Sequence, residues 1–241
     1  MEIQHRFVIV TGASRGLGRA ISEVLVAEGA IVFGFGRSEQ DLKEVKSQLG
    51  ESFHPILCDL QSAHTVKQAM SQVLATTNGR IDVLINNAGL GKFGAVEAMS
   101  EEDWDVQVDT NLKGVFLCTQ PVVPIMKQQN AEKGFGGHII NIASVAGLTG
   151  NPNIGIYNAT KFGLRGFSES LMLELRNDGI KVTCVFPGSI ETDFFRTTGF
   201  PSNSNHKMHP KDIADTVLHI LKAPDNYLIS EIVLRPLRPK G

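Results

Sequence analysis

Residues 7–10, Phe-Val-Ile-Val, form a short continuous apolar run of the kind a buried strand needs. TGASRGLG follows at 11–18, and Leu17, Ala20, Ile21, Val24 and Leu25 then recur at helical spacing up to Gly29. A strand that turns through Gly12, Gly16 and Gly18 directly into a helix admits few folds. Glycine lets backbone N–H groups approach a ligand with no Cβ in the way. The start of a helix adds orphan donors and the positive end of its dipole. With Ser14, Arg15 and Leu17 between the glycines, the turn is suited to a pyrophosphate; the alternative is a purely structural turn. The spacing is G-x3-G-x-G, not the commoner G-x-G-x-x-G.

The same alternation continues along the chain. A second strand at 31–36 ends at Arg37, where an acid would select a ribose 2′-hydroxyl and an arginine suits a 2′-phosphate. Arg15 and Arg37 converging there favour NADP(H). Ser38 and Asp41 resemble a capping box opening a helix to Gly50. A third strand at 53–58 ends on Asp59 and Leu60; Asp59 is either an adenine contact or a cap for the helix that starts near Ser62. A fourth strand at 81–85 runs into Asn86, Asn87, Ala88 and Gly89, small and amide residues suited to a ligand crevice, or to a plain turn. Ser100 caps a long helix carrying Asn111, which Pro121 and Pro124 are expected to kink or end. Asn111 is either a tolerated polar residue or one whose amide holds a water. A fifth strand, 138–144, ends on Ser144, and a helix from Tyr157 runs to Gly179. A sixth strand, 181–188, ends in Pro187 and Gly188. Residues 189–209 lack periodicity and read as a functional loop, and a helix at 210–222 and a strand at 227–234 follow. The reading is an α/β fold: a doubly wound parallel sheet with helices on both faces, in one domain spanning 1–241. Gly12, Arg37, Asp59, Asn87, Ser144 and Gly188 all fall where a strand ends, which places them on one edge of the sheet.

On that edge the chemistry centres on Ser144, Tyr157 and Lys161. Tyr157 and Lys161, four apart on a helix, lie one above the other. An ammonium near a phenol favours the phenolate and is expected to lower its pKa from about 10. Such a phenol can protonate a carbonyl oxygen and take the proton back in reverse. Ser144 can hydrogen-bond the same oxygen. A surface Tyr–Lys pair without a role is the competing reading.

Composition narrows the rest. With 42% apolar residues and a net charge of −2, the chain can fill a sizeable core and presents no global field for nucleic acid or an anionic membrane. No apolar run approaches the ~20 residues of a membrane span, and we read no signal peptide in MEIQHRFVIV. Cys58, Cys118 and Cys184 lie far apart among apolar neighbours and read as buried thiols in a reducing, cytoplasmic compartment. No Cys/His cluster has metal spacing, His206 and His209 included, and no metal is expected. The end, RPLRPK, reads as a docked or loose terminus, not a nucleic-acid arm.

Assembled in order, Thr11-Gly12-x3-Gly16-x-Gly18, Asn86-Asn87-Ala88-Gly89, Asn111, Ser144, Tyr157-x3-Lys161 and Pro187-Gly188 resemble the short-chain dehydrogenase/reductase family over nearly the whole chain. The resemblance implies a seven-stranded parallel sheet and an NADP(H)-dependent oxidoreductase acting on a small ketone or alcohol. It implies Tyr157 as acid/base, Ser144 orienting the carbonyl, Lys161 on the nicotinamide ribose, and Asn111 holding a proton-relay water. It also implies cofactor contacts from Ile190 and Thr192 beyond Gly188, and a homodimer or homotetramer. A 3-oxoacyl-carrier-protein reductase is an alternative. Many such members end in a glycine-rich segment, where this chain has ISEIVLRPLRPKG. A lyase or epimerase on the same scaffold, and a nucleotide-sensing regulator without turnover, are further alternatives.

Overall fold

In a computed structural model that describes residues 1–194, 198 and 207–237, strands and helices alternate along the chain. In order they are β1 (Phe7–Thr11), α1 (Gly16–Ala27), β2 (Ile31–Gly36), α2 (Glu39–Leu49), β3 (Phe53–Leu57), α3 (Ala63–Thr77) and β4 (Val83–Asn86). There follow α4 (Glu101–Val108), α5 (Gly114–Lys133), β5 (Gly137–Ile142), α6 (Gly155–Leu175), β6 (Ile180–Pro187), α7 (Pro210–Lys222) and β7 (Glu231–Leu234). The seven strands form one sheet in the order β3-β2-β1-β4-β5-β6-β7, and every pairing is parallel. The order reverses between β1 and β4, so their carboxyl ends open a crevice.

Alternate residues of each central strand feed opposite faces, as the twofold period of a strand requires. Val8, Val10, Val32, Val83 and Ile85 pack with Leu17 and Ile21 of α1 and Ile213 and Val217 of α7. Ile9, Phe33, Leu84 and Ile139 face the other way, against Val66 and Met70 of α3, Val122 and Met126 of α5, and Leu175 of α6. The three cysteines are free and buried, as their neighbours suggested.

The region after Ser100 differs from expectation. Pro121 and Pro124 sit inside α5, which continues to Lys133. Each proline removes one helical N–H, but both lie on the partly exposed side, while Cys118, Val122 and Met126 are buried opposite. Gln129 of the same buried side bonds to Ile81 N–H, Ile81 C=O and the Gly136 carbonyl. Packing of that face outweighs the missing bonds. Between α4 and α5 the chain makes a π-helical turn, Asp109–Lys113. Ser100 closes a full capping box with Asp103, whereas Ser38 accepts from Asp41 N–H without the reciprocal bond. The last strand is shorter than the apolar run suggested, four residues from Glu231.

The loop after β6 is held at its base by a parallel bridge between Ile190 and Met208 and by a contact of His209 Nδ1 with the Glu191 carboxylate at 3.1 Å. Phe195, Phe200, His206 and the end of the basic tail lie outside the described residues. No helix among the described residues is long and apolar enough to cross a membrane.

Candidate active site

The glycine turn builds one end of the site. Gly12 and Gly16 adopt φ of 66° and 55°, in the left-handed region that favours glycine. A Cβ on Gly18 would stand 2.1 Å from the Gly12 carbonyl oxygen, so α1 can approach β1 this closely only with glycine there. Arg15, the residue before α1, makes no side-chain cap. The first N–H groups of α1 therefore face the crevice without a protein acceptor from the cap, which is the donor set an anion uses. Thr11 ties this turn to the next strand end: its hydroxyl accepts from Asn87 N–H and Ala88 N–H, both at 3.0 Å, and Asn87 Nδ2 donates to Thr11 C=O at 2.9 Å.

One cavity of about 520 Å³ runs along the carboxyl edge of the sheet. Gly12, Ser14, Arg15, Gly16, Leu17 and Gly18 line it after β1, Arg37 after β2, Asp59 and Leu60 after β3, and Asn87, Ala88 and Gly89 after β4. Ser144, Tyr157 and Lys161 line it beyond β5, with Pro187, Gly188, Ile190 and Thr192 beyond β6. The six residues that the strand-end argument put on one edge, Gly12, Arg37, Asp59, Asn87, Ser144 and Gly188, all line this cavity. Asp59 does not cap α3. Ser62 does, accepting from Thr65 N–H, while Asp59 accepts from Gln61 N–H at 3.1 Å within the turn. Among the described residues no group of three His, Cys, Asp or Glu side chains could hold a metal ion.

At the other end, Ser144 Oγ accepts from Ala146 N–H at 3.1 Å and lies beside the Tyr157 phenol. Lys161 Nζ donates to the Ile142 carbonyl at 2.9 Å and stands 5.7 Å from the centre of the Tyr157 ring. The expected acidification of the phenol is not found. Burial pushes Tyr157 up to about 12, with the polar Ser144 side chain beside it opposing the shift, and burial pushes Lys161 down to about 8. Both groups are nearly enclosed, 9% and 4% exposed, so the cost of desolvating a charge decides each.

Of the expected residues, Asn86 and Asn111 do not line the cavity; Asn86 Nδ2 donates instead to Asn141 Oδ1 at 2.9 Å and Thr119 Oγ at 3.2 Å. Asn111 sits in the π-helical turn and grips the loop after β4: its Oδ1 accepts from Leu90 N–H at 2.9 Å and its Nδ2 donates to Leu90 C=O at 2.9 Å and Thr160 Oγ at 3.1 Å. Both amide protons are committed, so the side chain fastens the loop after β4 to α6. The sequence reading missed Gln107, fully buried, which accepts from Lys92 N–H at 3.1 Å. It also missed Asn158, which donates to the Ala146 and Thr149 carbonyls and so holds the segment after Ser144. The signal for Gln107 was present: an amide one helical turn before Asn111 on the same face.

A family model described as short chain dehydrogenase matches residues 6–200. This chain belongs to that family. An uncharacterised oxidoreductase of Staphylococcus epidermidis is 31% identical over 236 residues, covering 98% of this chain and 99% of that protein. The solved 3-ketoacyl-(acyl-carrier-protein) reductase of Brucella melitensis, complexed with NADH, superposes with a TM-score of 0.91 at 25% identity, over 99% of this chain and 100% of the other. The closed form of serine dehydrogenase complexed with NADP+ gives 0.90 at 30% identity, over 98% and 96%. This short-chain dehydrogenase is accordingly an oxidoreductase on a Rossmann-type sheet.

Proposed function

We propose that this protein catalyses reversible, NADP(H)-dependent hydride transfer between the cofactor and a ketone or secondary alcohol, with Tyr157 as the acid/base. The observation that carries this is Ser144, Tyr157 and Lys161 lining the same cavity as the uncapped N-terminus of α1. The residues present fit a dinucleotide. The N–H groups of the glycine turn suit the pyrophosphate, and Arg15 and Arg37 line the part of the cavity where a 2′-phosphate would lie. Asp59 and Leu60 suit the adenine, and Asn87 to Gly89 with Lys161 suit the riboses. Pro187, Gly188, Ile190 and Thr192 suit the nicotinamide side.

When bound, the dihydronicotinamide supplies the hydride, and with it the two electrons that reduce the carbonyl carbon. The chain's own residues handle the proton. Ser144 Oγ and the phenol line the same cavity and would both hydrogen-bond the substrate carbonyl oxygen, fixing it there. As the C–O π bond becomes an O–H bond, the Tyr157 O–H bond breaks and its proton passes to the substrate oxygen. Solvent returns a proton to the phenolate, with the Lys161 ammonium stabilising that transient negative charge. Phe93 and Phe194 pack against the Tyr157 ring. A phenol held near 12 is fully protonated at neutral pH, which is the state that carbonyl reduction requires.

Tyr157→Phe tests this reading. It is expected to lower turnover at least ~100-fold while leaving NADPH affinity nearly unchanged. Full activity in the variant would remove the acid/base role. The likeness to the Brucella reductase keeps acyl thioesters on the substrate panel beside simple ketones.

A further inference from the structure

Three aromatic rings meet at the substrate end of the cavity. Phe93, from the loop after β4, stands edge-on to Tyr157 with ring centres 5.6 Å apart. Phe194, from the loop after β6, is 5.7 Å from Tyr157 and 6.3 Å from Phe93. Both phenylalanines line the cavity.

The loop that carries Phe93 is fastened on both sides of it. Lys92 N–H is held by Gln107, and Gly94 N–H by the Asn153 carbonyl at 2.7 Å. Leu90 is held by Asn111 through both its N–H and its C=O. Between these anchors, Gly91 seats the two rings: a Cβ there would lie 2.6 Å from Phe93 and 3.1 Å from Phe194. The rings thus rest on bare backbone, and the aromatic wall is built before any substrate arrives. A buried glutamine is costly unless both ends of its amide are used. Gln107 uses both, on Lys92 N–H and on the Asp103 carbonyl.

Lys161, which also lines this end, is turned to the Ile142 carbonyl. A substrate carboxylate here would lie against two apolar rings, which offer it no hydrogen bond.

We propose that Phe93 and Phe194 set the specificity of this reaction, selecting an uncharged ketone that bears a flat apolar group beside the carbonyl, and that Gln107 is the positioning residue that holds Phe93. The substrate class rests on the reductase reading above. It goes beyond that reading in excluding oxo acids and amino acids such as serine.

Three dicarbonyl probes separate the possibilities. 1-Phenylpropane-1,2-dione carries the flat group, butane-2,3-dione lacks it, and benzoylformate keeps it but adds a carboxylate. NADPH consumption is expected to show kcat/KM for the phenyl dione about 30-fold above either other probe, the size of effect that burying a phenyl group supplies. Phe93→Ala and Phe194→Ala are each expected to remove about tenfold of that advantage through KM. Gln107→Met is expected to raise the same KM by a smaller factor with NADPH affinity retained, a split that general destabilisation would not give. Equal turnover of butane-2,3-dione or benzoylformate, or an unchanged ranking in the variants, overturns the proposal while leaving the reductase reading intact. If no probe consumes NADPH, the hydride-transfer reading loses its support, and saturation-transfer NMR of the same probes on the NADPH-loaded enzyme decides the wall by itself. Binding of the phenyl dione that is weakened in Phe93→Ala upholds it, and no preference for the phenyl dione overturns it.

Discussion

At the scale of single residues, burial sets the chemistry more than the nearest charge does. The phenol of Tyr157 and the ammonium of Lys161 are moved in opposite directions, up to about 12 and down to about 8, because each would carry its charge in a closed site. The sign fixes a pH dependence. Carbonyl reduction needs the phenol protonated, so its rate is expected to stay flat from about pH 6 to 8 on account of this group. Alcohol oxidation needs the phenolate, whose population grows with pH while it remains the minor form, so that rate is expected to climb without a plateau up to about pH 9. Initial rates in both directions would check this, and an oxidation plateau below pH 8 would show that the bound state acidifies the phenol after all. Arg37 gives a second prediction at this scale. Its guanidinium and that of Arg15 are exposed and line the cavity. A 2′-phosphate paired with a guanidinium gains charge-assisted bonds that a 2′-hydroxyl does not. Arg37→Ala is therefore expected to weaken NADPH at least ~10-fold and NADH little. Equal losses for the two cofactors, measured by titration, would contradict the contact.

At the scale of elements, the site is the product of how helices begin. α2, α3 and α4 start on serines whose side chains accept from the third N–H beyond them. α1 starts without such a cap, on a glycine, and faces the cavity. Its close approach to β1 depends on Gly18, where a Cβ would also stand 2.5 Å from Asn87 Nδ2. Gly18→Ala must displace the Gly12 carbonyl or the Asn87 amide. It is expected to weaken NADPH binding at least ~10-fold and to lower the melting temperature, since neither neighbour is a flexible chain end. Unchanged affinity and melting would mean that the turn can widen without loss. The π-helical turn between α4 and α5 belongs to the same scale. It follows Gln107 by two residues and contains Asn111, so the face presenting two amides to the loop after β4 also absorbs the irregularity.

Over the whole molecule, the edge of the sheet away from the cavity carries its own polar clasp. Asp82, 5% exposed, accepts from Phe7 N–H at 2.9 Å, from Arg6 at 3.1 Å and from Arg80 at 2.7 Å. Its backbone N–H reaches the Phe7 carbonyl and its own carbonyl accepts from His138 N–H, so β1, β4 and β5 are joined there. Asp82→Ala would leave the Phe7 N–H unpaired at a nearly buried position, a cost of about 2 kcal/mol. That corresponds to a fall of about 5 °C in melting temperature for a chain of this size. Turnover measured well below the transition is expected to stay near that of the unaltered protein, because the clasp and the cavity lie at opposite ends of the strands. A loss of turnover larger than the loss of stability would show that the two edges are coupled.

The sequence by itself determined the alternation of strands and helices, the glycine turn, the serine caps and the set of residues on one edge of the sheet. These follow from local rules: the period of apolar residues, the freedom of glycine at Gly12 and Gly16, and the fact that a crossover returns each strand to the same edge. Only the tertiary structure decided the rest. Strand order, the survival of α5 through Pro121 and Pro124, the use of Asn111 and Gln107 as loop anchors, and the direction in which Tyr157 and Lys161 are shifted all depend on what stands across space from each residue. Burial and long-range partners set those energies, and neither is written in the spacing of residues along a chain.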